Sequence, residues 1–484
     1  MYTRENADKF IADRKYLLKE QFRLNYHLMS EFGWMNDPNG FVYYNGEYHL
    51  FYQHYPYQPV WGPMHWGHAV SRDLISWKYL PMALAPDQTY DKDGCFSGSA
   101  IERDGKLYLM YTGHLITGPD KDADYSQNQN IAVSEDGVRF EKLGNNPVLG
   151  PDQIPAGASL KDFRDPKVFE RDGTYYVVLG SNDGQGNGLI LMYRSDDLMN
   201  WSFAGEIARS DGQMGDNWEC PDIFELGGYD VMMLSPQRMP AQGDDYRNLH
   251  STAYMIGRLD TEQGRFHYEQ YEQVDCGFDF YAPQTTIDNK GRRIVIGWME
   301  TWETEIPTQL GHYWAGAMSM AREVVLQGDK LLFKPLEEII SYRDNGYEAA
   351  DLTIHGVKDM EVSGDCYELE VVFRAETAEE FGLLLRTHDT EATVLSYRPA
   401  DGQLRFNRDN SGIGLGGERR TKVELKNGLL ELRVFVDKSS VEVFIQGGEK
   451  VMTGRIYPGP ESKGIQAYAK GTCNMVSFKK WDLK

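Results

Sequence analysis

Aromatic and β-branched residues recur in short runs broken by Gly, Asn and Asp from about residue 22 almost to the end of the chain. Runs of that composition, closed by turn-forming residues, predict β-strands. One segment departs from the pattern. Over residues 5–20, Phe10, Ile11, Tyr16, Leu17 and Leu18 fall at spacings that predict one short amphipathic helix. From about residue 345 the strands alternate strictly, as in CYELEVVFRAE (366–376), FGLLLRT (381–387), LLELRVFVD (429–437) and SVEVFIQ (440–446). One apolar face per strand predicts two sheets packed face to face. Residues 329–345, which contain KPLEEIISYRD, read as a connector.

The first two-thirds of the chain repeats itself. A turn glycine followed by an aromatic or aliphatic strand occurs five times, in YNGEYHLFY, RDGKLYLMY, RDGTYYVVLG, LGGYDVMMLS and NKGRRIVIGW. The glycines, Gly46, Gly105, Gly173, Gly228 and Gly291, are 59, 68, 55 and 63 residues apart. A second signature, a Ser/Asp turn before an aromatic residue, recurs in SRDLISW (71–77), SDDLMNW (195–201) and, more weakly, SEDGVRF (134–140). Units near sixty residues with several strands each predict propeller blades, since one small sheet cannot bury both faces alone. The expected all-β architecture is a helical extension (1–21), a five-bladed β-propeller (22–328), the connector (329–345) and a C-terminal β-sandwich (346–484).

Composition narrows the function classes. The formal net charge of −23 repels phosphate backbones and anionic lipid, so nucleic-acid and membrane partners are not expected. Five scattered cysteines, none at metal-ligand spacing, point to a reducing compartment. The charged N-terminus has no apolar core of signal-peptide length, and no apolar run reaches bilayer-spanning length. The expectation is a cytoplasmic protein, monomer or homodimer, without metal or cofactor.

The chemistry lies just upstream of the turn glycines. Asp37 is nine residues before Gly46, Ser97 eight before Gly105, Asp165 eight before Gly173, Glu219 nine before Gly228 and Tyr281 ten before Gly291. Similar positions in ring-packed blades lie at one level, and the first strand of a blade lines the central channel, so these side chains converge on one pocket. Taken singly, DPNG around Asp37 is a turn sequence and Arg164-Asp165-Pro166 a surface ion-pair turn. Glu219, between Trp218 and Cys220, reads as buried, and burial raises a glutamate's pKa. Three carboxylates at one level are costly to keep without a use. Two carboxylates facing a pocket, without metal ligands or a phosphate loop, point to glycoside hydrolysis. Asp165, beside Arg164, is expected to stay ionised and bind sugar hydroxyls. Trp34, Phe51, Tyr52, Trp61, Trp66, Phe96 and Trp298 are candidate stacking faces for a sugar, each alone being more often packing.

WMNDPNG, FYQHYPY, WGPMHWGHAVSRDLISW, FSGSA, FRDPKVF, WECPDIF and GFDFYAPQT together resemble the invertase family, glycoside hydrolase family thirty-two, over residues 22–484. DKSSVEVFIQGG (437–448) resembles the marker of that family's C-terminal sandwich. The resemblance implies a retaining mechanism on β-fructofuranosides, with Asp37 as nucleophile, Asp165 as transition-state stabiliser and Glu219 as general acid/base. It implies a fructosyl site made by Trp34, Met35, Asn36, Asp37, Gln53, Trp61, Phe96, Ser97, Arg164 and Asp165, with Tyr281 in the outer pocket. Bacterial sucrose-6-phosphate hydrolases are the most similar members. Sucrose, its 6-phosphate and short fructo-oligosaccharides all stay open as substrates. The alternatives are a fructosyltransferase of the same fold and a non-catalytic carbohydrate-binding propeller, the three intact carboxylates speaking against the latter.

Overall fold

A computed structural model describes residues 2–303, 305–414 and 416–484. Five sheets follow one another along the chain as blades I to V, each built of four antiparallel strands, with the short strand Trp314–Ala315 added in parallel at the inner edge of blade I; one further sheet forms the C-terminal domain. The first strands of the blades are Gly33–Tyr44, Gly94–Arg103, Phe163–Arg171, Asn217–Leu226 and Tyr281–Ile287. Each packs against the first strands of its neighbours, and that of blade V closes on that of blade I. These five strands therefore line the propeller axis.

The blades cohere because successive residues of a strand face opposite interfaces. In blade III, Val177 and Leu179 join Met110 and Tyr193 in the core shared with blade II. Val178 joins Met192, Trp218 and Met232 in the core shared with blade IV. The repeat glycines are there for backbone conformation. Gly46, Gly105, Gly173 and Gly228 have φ from 76° to 85° and follow residues that also have positive φ. Two left-handed residues in succession are what tight hairpins require. The Ser/Asp signature is a hydrogen-bonded turn: Ser71 and Ser195 accept from the amides of Leu74 and Leu198. Asp73 and Asp197 accept from the two amides that follow.

Two expectations need correction. The N-terminal α-helix covers Arg4–Arg14 and passes into a 3₁₀ turn at Lys15–Leu17. The change of helical pitch takes Tyr16 off the apolar face, and it is 79% exposed, while Ala7 and Ile11 are buried. The proposed connector is also shorter. Lys330–Pro335 is the outer strand of blade V, and only Leu336 and the 3₁₀ turn Glu337–Tyr342 precede the first sandwich strand, Arg343–Ser363.

The C-terminal sheet folds over one core containing Leu369, Leu383, Phe406, Val434 and Met475. Its long last strand, Gly464–Leu483, pairs with strands of both halves. Its junction with the propeller is ionic and buried. Arg322 of blade V bonds Asp275, Glu442 and Thr453. His27 lies between Asp437 and Glu442, at 2.8 and 3.0 Å. Asp437 and Glu442 belong to DKSSVEVFIQGG, so that sequence docks the sandwich onto the propeller. Buried charges of this kind are tolerated only where each is paired and hydrogen-bonded.

Candidate active site

Each of the five axial strands carries a β-bulge at the level where the sequence places its candidates. The register slips between Met35 and Pro38, Phe96 and Gly98, Arg164 and Lys167, Glu219 and Asp222, and Tyr281 and Gln284. A bulge re-aims side chains and frees an amide from the ladder. That explains the prolines at 38, 166, 221 and 283, which have no amide to give. Asp165, Cys220 and Ala282 sit in these bulges at φ 62°, 46° and 51°. The bulges also correct the glycine-offset alignment. Glu219 precedes its bulge and corresponds to Arg164 and Tyr281, while Cys220 corresponds to Asp165.

The bulged residues surround one pocket of about 330 Å³. Asn36, Asp37, Gln53, Trp61, Phe96, Ser97, Arg164, Asp165, Glu219 and Tyr281 all line it. Asp37 Oδ2 accepts from Ser97 Oγ at 2.7 Å and Asp37 Oδ1 from Asn36 Nδ2 at 3.1 Å. Burial raises the Asp37 pKa, and the charge of Glu219 adds to that, while the Ser97 and Asn36 hydrogen bonds oppose it. Glu219 is held at both oxygens: Arg164 Nε and Nη2 donate to Oε1 at 3.0 and 2.9 Å, and Tyr281 OH donates to Oε2 at 2.6 Å.

The expected Arg164–Asp165 pair does not form. Asp165 sits in the bulge at φ 62°, which re-aims its carboxylate, and the Arg164 guanidinium reaches Glu219 and Asp162 instead. Asp165 is buried and accepts from the Cys220 amide at 2.9 Å. Burial, then the charges of Glu219 and Asp37, push its pKa up to about 7 against the pull of Arg164.

Two residues of the implied fructosyl site lie behind the pocket. Trp34 is buried and donates from Nε1 to Asn36 Oδ1 at 2.7 Å, fixing the amide that touches Asp37. Met35 is fully buried in the core between blades I and V, with Leu50 and Ile296. Its neighbour Asn36 faces the pocket, and alternation turns Met35 the other way. Of the candidate aromatics, Trp61 and Phe96 line the pocket, whereas Phe51, Tyr52, Trp66 and Trp298 fill hydrophobic cores.

Other pocket residues escaped the sequence reading. Cys220 places its sulfur 3.6 Å from Asp37 Oδ2 and 3.5 Å from Asp165 Oδ2, where burial and both carboxylates keep it a thiol. Its place in WECPD beside Glu219 was the available signal. Asp162, just before the first strand of blade III, accepts from Arg164 Nη1 at 2.6 Å. His114 stacks on Phe96 with centroids 4.3 Å apart, and burial lowers its pKa to about 4. Trp302, stacked on Trp34, and His250 also line the pocket, with Lys121, Asp122, Tyr125, Gln127 and Gln237.

Comparison with known proteins agrees with this geometry. Residues 27–335 match the glycosyl hydrolases family 32 N-terminal domain and residues 338–482 the family's C-terminal domain. The chain is 40% identical to a sucrose-6-phosphate hydrolase of Escherichia coli, covering 96% of this chain and 95% of the relative. It is 39% identical to a raffinose invertase of the same species, covering 92% and 91%. A Bombyx mori GH32 beta-fructofuranosidase variant solved in complex with sucrose superposes with a TM-score of 0.87 at 36% identity, covering 99% and 98% of the two chains. With propeller and sandwich both matched in order, the chain belongs to glycosyl hydrolases family 32.

Proposed function

We propose that the protein hydrolyses terminal β-D-fructofuranosyl bonds, in sucrose or sucrose 6-phosphate, with retention at the anomeric carbon. The observation that carries this reading is a division of labour among three carboxylates in one pocket. Asp37 takes its hydrogen bonds from Ser97 and Asn36, neither of them charged, and is the nucleophile. Glu219, whose partners are Arg164 and the mobile hydroxyl of Tyr281, is the acid that protonates the leaving oxygen and then the base that activates water. Asp165 lies against both and accepts hydrogen bonds from ring hydroxyls as positive charge grows on the fructosyl ring. Trp61 and Phe96 supply apolar faces for the sugar.

The sucrose-bound relative and the E. coli sucrose-6-phosphate hydrolase support both substrates. Retention would place the carboxyls of Asp37 and Glu219 about 5–5.5 Å apart. The five free thiols support a cytoplasmic setting. Among the described residues, no helix is long and apolar enough to cross a membrane. The direct test is turnover of sucrose, sucrose 6-phosphate and a short inulin oligomer, with free fructose and glucose both measured. Hydrolysis releases fructose and the glucosyl product of sucrose in equal amounts. Fructose well below glucose would mean transfer to another sugar, and no release from any of the three would overturn the reading.

A further inference from the structure

The propeller axis has a second mouth. At the end of the channel opposite the carboxylate pocket, a cavity of about 670 Å³ is lined by the far ends of the axial strands. Phe41 and Ile101 lie there with Lys167, Phe224, Thr285 and, from the second strand of blade V, Arg293. No residue of the carboxylate pocket is among its lining, so this is a separate site.

The charges at this mouth do not balance. Asp222 is fully buried and committed: its Oδ2 accepts from Lys167 Nζ at 2.9 Å and the Thr285 amide at 2.7 Å, and its Oδ1 from Thr285 Oγ1 at 3.0 Å. Arg293 is the second cation beside that one carboxylate. Its only hydrogen bond among the described residues is a long one, Nη1 to Thr285 Oγ1 at 3.4 Å, and its buried Nε has no partner. Its guanidinium carbon lies 4.6 Å from the centre of the Phe224 ring. Burial works against its charge, with only the field of Asp222 in its favour. Other carboxylates at the rim do not relieve it. Glu225 is drawn to Arg171, and Glu170 and Asp172 are exposed, where water screens them. Arg293 is half-buried, and a guanidinium whose buried Nε lacks a partner is costly, while its planar fork of donors suits an oxyanion.

We propose that the far mouth of the propeller channel binds a small oxyanion, with Arg293 as its principal ligand and Lys167 as the neighbouring cation. Inorganic phosphate is the simplest member of the class.

The test is thermal unfolding of the full chain in sodium phosphate against sodium chloride at matched pH and ionic strength. Phosphate strengthens folding non-specifically as well, so Arg293→Met sets the baseline. A millimolar site raises the wild-type Tm by about 3 °C in about 50 mM phosphate beyond that baseline. Arg293→Lys keeps part of the rise and Arg293→Met loses it. An equal rise in wild type and Arg293→Met overturns the proposal, as does equal wild-type Tm in the two salts. Phosphorus NMR on the wild type serves if the Met variant does not fold. Protein-dependent broadening of the phosphate line, reversed by sulfate, supports the site, and an unbroadened line overturns it.

Discussion

Tyr281 donates a 2.6 Å hydrogen bond to Glu219 Oε2, and the Ser235 carbonyl lies 3.4 Å from the same hydroxyl as a second acceptor. A carboxyl that gives up and regains a proton in each cycle needs a partner able to follow it. The Tyr281 hydroxyl faces Glu219 when that carboxylate is ionised and can turn to Ser235 when it is protonated. Tyr281 lines the pocket, as the sequence suggests, and its bond to Glu219 is the contact that the sequence does not show.

Tyr281→Phe should therefore lower the rate and leave the fold intact. A loss of about tenfold in kcat/KM, with Tm close to wild type, is expected. Unchanged kcat/KM would reduce Tyr281 to packing.

Glu219→Gln keeps the side chain's shape and removes its proton. Turnover of sucrose should fall by roughly 10²–10⁴-fold. The loss should shrink on an activated fructoside whose leaving group needs no protonation. Equal losses on both substrates would contradict the acid role.

Asp165→Asn separates binding from catalysis. Burial and the charges of Glu219 and Asp37 disfavour the Asp165 charge and push its pKa up to about 7. Positive charge developing on the fructosyl ring favours that same ionised form. The interaction is thus stronger in the transition state than in the ground state, and its loss lowers kcat with little change in KM. Steady-state kinetics with a melting curve decides the matter. A large fall in Tm with near-normal kcat for the folded fraction would make Asp165 structural.

The propeller–sandwich junction predicts a pH window for stability. Burial opposes a charge on His27, yet its bonds to Asp437 and Glu442 outweigh this and raise its pKa above 6.5. Its contribution is complete below 6.5 and is lost as pH rises through the raised folded value. Burial likewise opposes the charge of Glu442, but His27 and Arg322 lower its pKa below 4.5. That contribution is present above 4.5 and is lost as pH falls through the folded value. The Tm difference between wild type and His27→Gln should be largest between these limits and should narrow at alkaline pH. A difference independent of pH would mean that His27 is neutral in the fold.

The architecture was legible because its causes are local. Hairpin glycines such as Gly105 need positive φ, blade strands alternate between two interfaces, and Ser/Asp turns bond their own backbone. The convergence of Asp37, Asp165 and Glu219 was legible through the repeat. Which side chain meets which was not. The bulges shift register by one residue, and that shift sends Arg164 to Glu219 in place of Asp165. Met35 shows the same limit, since alternation turns it into the core beside the pocket residue Asn36. Cys220 was hidden by its neighbours: the sequence shows a thiol beside Glu219, while the bulge at φ 46° sets it against two other carboxylates.

The central claim is that Asp37 attacks the anomeric carbon and Glu219 serves both half-reactions. Proton NMR of the first fructofuranose released from sucrose, recorded before mutarotation, tests it most directly. Two displacements at one carbon leave its configuration unchanged, so the β-anomer should appear first and the α-anomer grow in from it. Initial release of the α-anomer would mean a single displacement by water, and Asp37 would not be the nucleophile.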